Sequence, residues 1–225
     1  LHSQGFTFIC ATPRESIQNI DSAEMYPILN FEHIKWAGGV SWFWFYMYAK
    51  HKDQKFNFSH DHNGSYWHKK HDFLFLNKTP RPHRIALYDQ LLERGVLDNS
   101  LYTFHQQKSR NHLLPVEYEL PWVSKYPLKG LDQDIYEPPY NDTVCSIVSE
   151  TNDNDYDVFM TEKIWKPIIA QHVFLVHGNY LYLQKLREMG FKTFANYFNE
   201  LYDLERNATN RIEKLVSLCQ DLKAK

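Results

Sequence analysis

From residue 72 to the end, short apolar runs alternate with longer runs of helical period. "DFLFLN" (72–77), "SLYTFH" (100–105), "TVCSIVSE" (143–150) and "VFLVHG" (173–178) are too short for helices and read as strands. Between and after them lie "PRPHRIALYDQLLERG" (80–95), "TEKIWKPIIA" (161–170) and "YLYLQKLREMG" (180–190). The first of these opens on prolines, sets Ile85, Tyr88, Leu91 and Leu92 on one face, and meets a stop at Gly95. A last helix, from about residue 209, spaces Ile212, Leu215, Val216, Cys219 and Leu222 at helical intervals. Strands alternating with helices in this way predict an α/β fold with a doubly wound parallel sheet covered on both faces. Ligands of such sheets bind at the carboxyl ends of the strands.

The preceding residues are different in kind. "FTFIC" (6–10) reads as a strand, the aromatic-rich stretch 31–48 as a buried helix interrupted at Gly38 and Gly39, and "FNFSHDHNGS" (56–65) as a strand running into a polar loop. "HKKH" (68–71) marks a change in composition, which places a boundary near Lys70. The expected organisation is therefore a small α/β part over 1–70 and a larger domain over 71–225. The chain opens on Leu1 and is expected to be one domain of a longer protein.

Net charge is −2, so no basic footprint marks nucleic acid as a partner. No apolar segment reaches the ~18 residues of a membrane span. Cys10, Cys145 and Cys219 are odd in number and far apart, which suits free thiols in a reducing compartment. The expected location is cytoplasmic. On that reading the N-x-S/T sequons at Asn57, Asn63, Asn77, Asn141 and Asn207 are products of an Asn-rich chain.

Three places follow a strand and so fall on the ligand-binding edge: 77–84, 150–163 and 177–179. Asn77, Arg81 and Arg84 lie in the first. Arginines at a helix amino end suit phosphate, although solvated surface arginines are also common there. The second carries Glu150, Phe159, Thr161, Glu162 and Lys163. Thr161 can cap the helix and Glu162 suits its dipole, but Lys163 opposes that dipole unless an anion is near. Pro167 inside the same helix should kink or shorten it.

"RIALYDQL" (84–91), followed downstream by "SETNDNDYDVFMTEKI" (149–164), resembles the α-1,3-fucosyltransferase family. Arg84, Ala86, Tyr88, Asp89 and Leu91 match that family's R-x-A-F-Y-D-x-L helix. Glu150 and Thr161–Glu162–Lys163 match its F-E-N and Y-V-T-E-K segments, with Thr151 in place of the Asn and Phe159 in place of the Tyr. "GFKTF" (190–194) is similar to an ending seen in viral and bacterial relatives. The resemblance spans about residues 72–225. It implies a GT-B-like fold whose donor domain is the one described above, with a reduced amino-terminal part. It also implies an inverting, metal-independent hexosyltransferase that needs no cofactor and takes a nucleotide-diphosphate sugar and a glycan acceptor. Arg84 and Lys163 would neutralise the diphosphate, and Glu162 would bind the ribose. The chain also resembles glycosyltransferases of large algal viruses, which would place a viral protein in host cytoplasm. The sugar implied is a 6-deoxy-L-hexose: L-rhamnose from UDP-rhamnose or L-fucose from GDP-fucose.

An inverting transfer needs a carboxylate base, expected from the amino-terminal part. Asp61, in "SHDHNG", is the first choice, with Glu24 and Glu32 as alternatives. Two other readings stand beside this one. "DNDYD" (153–157) contains D-x-D twice, as metal-dependent transferases do. The aromatic run "WFWFYMY" (42–48) would also suit a non-catalytic glycan-binding module, although a core role explains it as well. Neither an EF-hand nor a structural zinc site fits: Val158 and Ile164 stand at the Gly and Glu positions of the former, and the histidines at 60, 62, 68 and 71 lack cysteine partners. No metal site is expected.

Overall fold

The structure is a computed structural model, and it describes residues 48, 50, 51, 53, 69–106, 109–112, 134–154 and 158–224. The aromatic run 42–47, Asp61, Glu24, Glu32, Phe31 and the strands expected at 6–10 and 56–65 lie outside the described residues.

The four expected strands form. They are β1 (His71–Leu76), β2 (Leu101–Gln106), β4 (Thr143–Ser149) and β5 (Val173–His177). Within the connection that follows β2 the structure adds a short antiparallel edge strand, β3 (Ser109–His112), so the sheet order is β3-β2-β1-β4-β5. β1, β2, β4 and β5 are mutually parallel. That order lets the chain wind outward from β1 in one direction and from β4 in the other. Right-handed crossovers then place the helix after β1 and the helix after β4 on opposite faces. Phe73, Leu74 and Phe75 of β1 are all at most 3% exposed, as a strand covered on both sides requires.

Helix α1 (Pro82–Glu93) follows β1, with Pro82 at its first position and Gly95 (φ 66°) just past its end. Its buried face differs from the apolar stripe read in the sequence. Tyr88 and Leu91 are buried as expected and Ile85 is partly buried against the core, but Leu92 is 47% exposed, and Leu87 and Arg84 take places on the buried face. Tyr88 stacks on Phe104 of β2 at 4.5 Å between ring centroids. Helix α2 (Glu137–Asp142) leads directly into β4 and is a second element that the sequence pattern did not announce. Helix α3 (Glu162–Ile169) keeps Pro167 inside it and ends two residues later, so the proline shortens the helix rather than preventing it.

After β5 the chain enters α4 (Tyr182–Glu188) through Leu181, whose φ of 60° is costly for a residue with a Cβ. Asp203, from a 3₁₀ turn (Leu201–Leu204), offsets that cost by accepting the amide N–H groups of Leu183 and Gln184 at 2.8 and 3.0 Å. The last helix, α5 (Ala208–Lys223), is capped by the Asn207 side chain and packs on α1 and β5. Ile212, Leu215, Val216 and Cys219 are buried as the spacing predicts, and Arg211 is buried with them. Among the described residues no helix is long and apolar enough to cross a membrane.

On the α3 side of the sheet, His172 is buried and fully engaged. One ring nitrogen meets the Ser146 hydroxyl at 2.8 Å and the other meets the Thr143 carbonyl at 2.8 Å. At the far end of β5, His177 is also fully buried. Burial drives both imidazoles from 6.5 to about 3, so both are neutral in the fold. The unfolded chain recovers the ordinary value, so below about pH 6.5 it binds protons that the folded state refuses. Stability should therefore fall as the pH drops from about 6.5 to about 5, by roughly 2–3 kcal/mol for the pair. Urea denaturation across that range measures the loss, and His172→Gln should remove about half of it. A stability independent of pH in this window would contradict neutral burial of the two rings.

Candidate functional site

The three strand-end segments singled out in the sequence converge at the carboxyl edge of the sheet. Their meeting point is the switch between β1 and β4, where the two windings diverge and the crossovers leave a crevice.

Glu150, immediately after β4, is completely buried and binds in two directions. Its carbonyl oxygen accepts Arg84 Nε at 3.1 Å, Arg84 Nη2 at 3.0 Å and His83 Nε2 at 3.0 Å. Its carboxylate accepts the Thr161 hydroxyl at 2.5 Å, the Thr161 amide at 3.2 Å and the Tyr182 hydroxyl at 2.7 Å. One residue thus ties the first turn of α1 to the amino ends of α3 and α4. The Tyr182 contact depends on Gly178, where a Cβ would come within 2.6 Å of the tyrosine ring. The Glu150 side chain is surrounded by protein donors, so its part in the site is to position others.

Arg84 is 3% exposed, and its third hydrogen bond goes to the Thr79 carbonyl at 3.2 Å. Both acceptors are neutral carbonyls, and each terminal guanidinium nitrogen retains a further N–H. Burial and the neighbouring Arg81 hold its pKa below the ordinary arginine value, while Glu150 and Glu162 pull the other way from beyond ion-pair distance. This is a buried cation with no carboxylate beside it among the described residues. Burying a charge that only more distant carboxylates offset is costly, and a bound anion would lower the cost.

Helix α3 begins at Thr161, whose side chain accepts the Lys163 amide at 3.3 Å, so the expected cap is present. Glu162 and Lys163 pair with each other at 2.7 Å, and Lys163 Nζ also lies 3.2 Å from the Thr161 hydroxyl. The lysine's charge in the first turn is met by its neighbour, and its attraction holds the Glu162 pKa below the ordinary carboxylate value despite burial. Phe159 is half-buried and donates its amide to Asn179 Oδ1 at 2.9 Å, which ties the third strand-end segment to the second.

The amino end of α1 is organised differently. Arg81 occupies the cap position, makes no side-chain cap bond, and is exposed with no ion pair among the described residues. Arg81, Pro82 and His83 form one wall of an open cleft of about 160 Å³, with residues 151–154 as the other. His83 was not singled out in the sequence, although it shares a helical turn with Arg84. Its Nδ1 faces Asp153 Oδ1 at 3.5 Å across the cleft, and burial holds its pKa below the ordinary imidazole value. Beneath it, the His177 ring lies 5.8 Å away. Neither His177 nitrogen has a hydrogen bond of ordinary geometry, although the Ala208 backbone is close enough to favour its protonated form.

His177 pairs with Ser149 in the sheet register, and the β1–β4 register carried on from Leu74 and Ser146 sets Asn77 level with Ser149. These three polar side chains therefore form a row across the central strands, under the start of α1. The Asn77 amide and the Ser149 hydroxyl are buried and, like the His177 ring, have no hydrogen-bond partner among the described residues. Leaving such groups unpaired costs about 1–3 kcal/mol each, so polar ligand groups or water are favoured there.

Among the described residues no three His, Cys, Asp or Glu side chains are grouped to hold a metal; of the D-x-D segment, Asp155 and Asp157 lie outside the described residues. Comparison with protein-family models, curated proteins and solved structures found no match.

The buried hub gives a direct test. Glu150→Ala strips the acceptors from Thr161 and Tyr182 and should destabilise the fold by about 3 kcal/mol, measured by chemical denaturation. A loss below about 1 kcal/mol would mean that these segments are held by other contacts.

Proposed function

We propose that residues 71–225 form the donor-binding domain of an inverting, metal-independent glycosyltransferase of the GT-B type. The reading rests on one observation: Arg84 and Glu150, which carry the two sequence motifs, meet directly at the sheet's switch point and leave a buried guanidinium without a carboxylate beside it. A nucleoside diphosphate supplies that negative charge, and the two arginines and the start of α1 receive it.

In the proposed reaction a carboxylate takes the proton of an acceptor hydroxyl. The acceptor oxygen attacks the anomeric carbon as the carbon–phosphate oxygen bond breaks, and the diphosphate leaves with the electron pair. Fixed positive charge at the leaving group lowers the barrier because charge develops there in the transition state. Asp61, or else Glu24 or Glu32, is the proposed base. The donor is a 6-deoxy-L-sugar nucleotide, UDP-rhamnose or GDP-fucose, and the acceptor is a glycan; the cytoplasm is the proposed location. A metal-dependent variant has one observation in its favour, since Asp153 of the D-x-D segment lines the cleft.

Thermal stability with GDP, UDP and their fucose and rhamnose conjugates, with Mn²⁺ or with EDTA, tests the proposal. A nucleotide at about 100 times its Kd adds about 2.7 kcal/mol. A shift with one base that survives EDTA is expected, and Arg81→Gln should weaken it about ten-fold in affinity without lowering the stability of the unliganded protein. A shift only with Mn²⁺ would favour the D-x-D reading. No shift with any nucleotide would sink the transferase assignment and leave a glycan-binding module.

A further inference from the structure

We infer that Asp153 is a built-in competitor for the anion that the Arg81–His83 cleft receives. The inference rests on the anion-binding part of the proposed function and not on sugar transfer.

Every charge at the α1 wall of this cleft favours an anion: the exposed Arg81 guanidinium, the uncapped amino end of a twelve-residue helix, and Arg84 buried behind it. Among the described residues the opposite wall carries one acid, Asp153, and its carboxylate faces His83 Nδ1 at 3.5 Å. His83 Nε2 faces the Glu150 carbonyl and so must carry its proton to donate there. Nδ1 then offers the carboxylate only a lone pair unless the ring takes up a second proton. The fully buried His177 ring, without a hydrogen bond of ordinary geometry, lies directly beneath. Among the described residues, Arg81, Arg84, Asp153 and His177 are the charged and titratable groups around His83. The position Asp153 occupies is therefore the one that a phosphate oxygen would take, and the carboxylate is held there weakly.

The surrounding backbone shows what can move. The Asp153 carbonyl is held by Arg211 Nη2 at 2.6 Å, and Asn154 is fixed by two hydrogen bonds from Asn179 Nδ2 at 2.7 and 3.0 Å. Among the described residues the Asp153 side chain meets His83 alone, and it is partly exposed. An entering diphosphate can turn that side chain outward while the loop stays in place. Without an anion in the cleft the carboxylate lowers the repulsion between Arg81 and Arg84; on binding it becomes a like charge beside the ligand.

The test is calorimetric binding of inorganic pyrophosphate to the full chain in EDTA, for the wild type and for Asp153→Asn and Asp153→Ser. Removing the competitor should tighten binding about ten-fold in both variants. Unchanged or weaker binding by the variants, with binding by the wild type intact, would overturn the inference and leave the proposed function standing. Weaker binding that appears only when Mn²⁺ replaces EDTA would make Asp153 a metal ligand and also overturn it. Tighter pyrophosphate binding without any response to sugar nucleotides would uphold the inference and remove the transferase reading. No pyrophosphate binding by any of the three proteins would overturn both.

Discussion

Glu150 joins what the chain keeps far apart. Its carbonyl holds His83 and Arg84 from the start of α1, and its carboxylate holds Thr161 and Tyr182 from the starts of α3 and α4. In a buried setting each of these groups would carry a desolvation cost if unmatched, so the arrangement is all or nothing. The carboxylate lies at the end of a central strand, where the backbone is held on both sides by parallel neighbours. A rigid sheet thus sets the position, and three helix ends are referred to it.

The consequence is an edge rich in positive charge and poor in partners. Arg84 is spent on carbonyl oxygens, Arg81 lies open, and the start of α1 has no side-chain cap. Beneath them Asn77, Ser149 and His177 hold polar side-chain atoms that are unpaired among the described residues, level with one another in the sheet register. Helix α3 behaves otherwise, because Thr161 closes its amino end and Glu162 matches Lys163. Two helices of similar position therefore do different work: one completes the scaffold, and the other faces the cleft.

Much of the scaffold was legible. Runs such as "DFLFLN" and "VFLVHG" could only be buried strands, and the stops at Gly95 and Gly190 fall where positive φ ends a helix. Strand β3 and helix α2 were not, because "SRNH" and "EPPYND" carry no apolar period and owe their form to the neighbours they meet. The face of α1 was misjudged for a related reason. Leu92 extends the apolar stripe on paper, but it is exposed in the fold, and a buried place in the helix's first turn goes to Arg84. The site was legible as segments and not as roles: the strand-end rule found Glu150 and His177, but nothing local showed that Glu150 would bind protein or that His83 would face Asp153.

The sequence by itself determined the four parallel strands and the helices α1, α3, α4 and α5, their parallel winding, and hence the edge on which polar and cationic residues would collect. Those follow from periodicity and chain breaks, which are local properties. Only the tertiary structure decided that residues 83–84, 150, 161 and 182 share one hydrogen-bonded hub, and that Asp153 sits opposite Arg81 and His83. Those relations span distant parts of the chain and are fixed by sheet register and crossover handedness, which no single segment encodes.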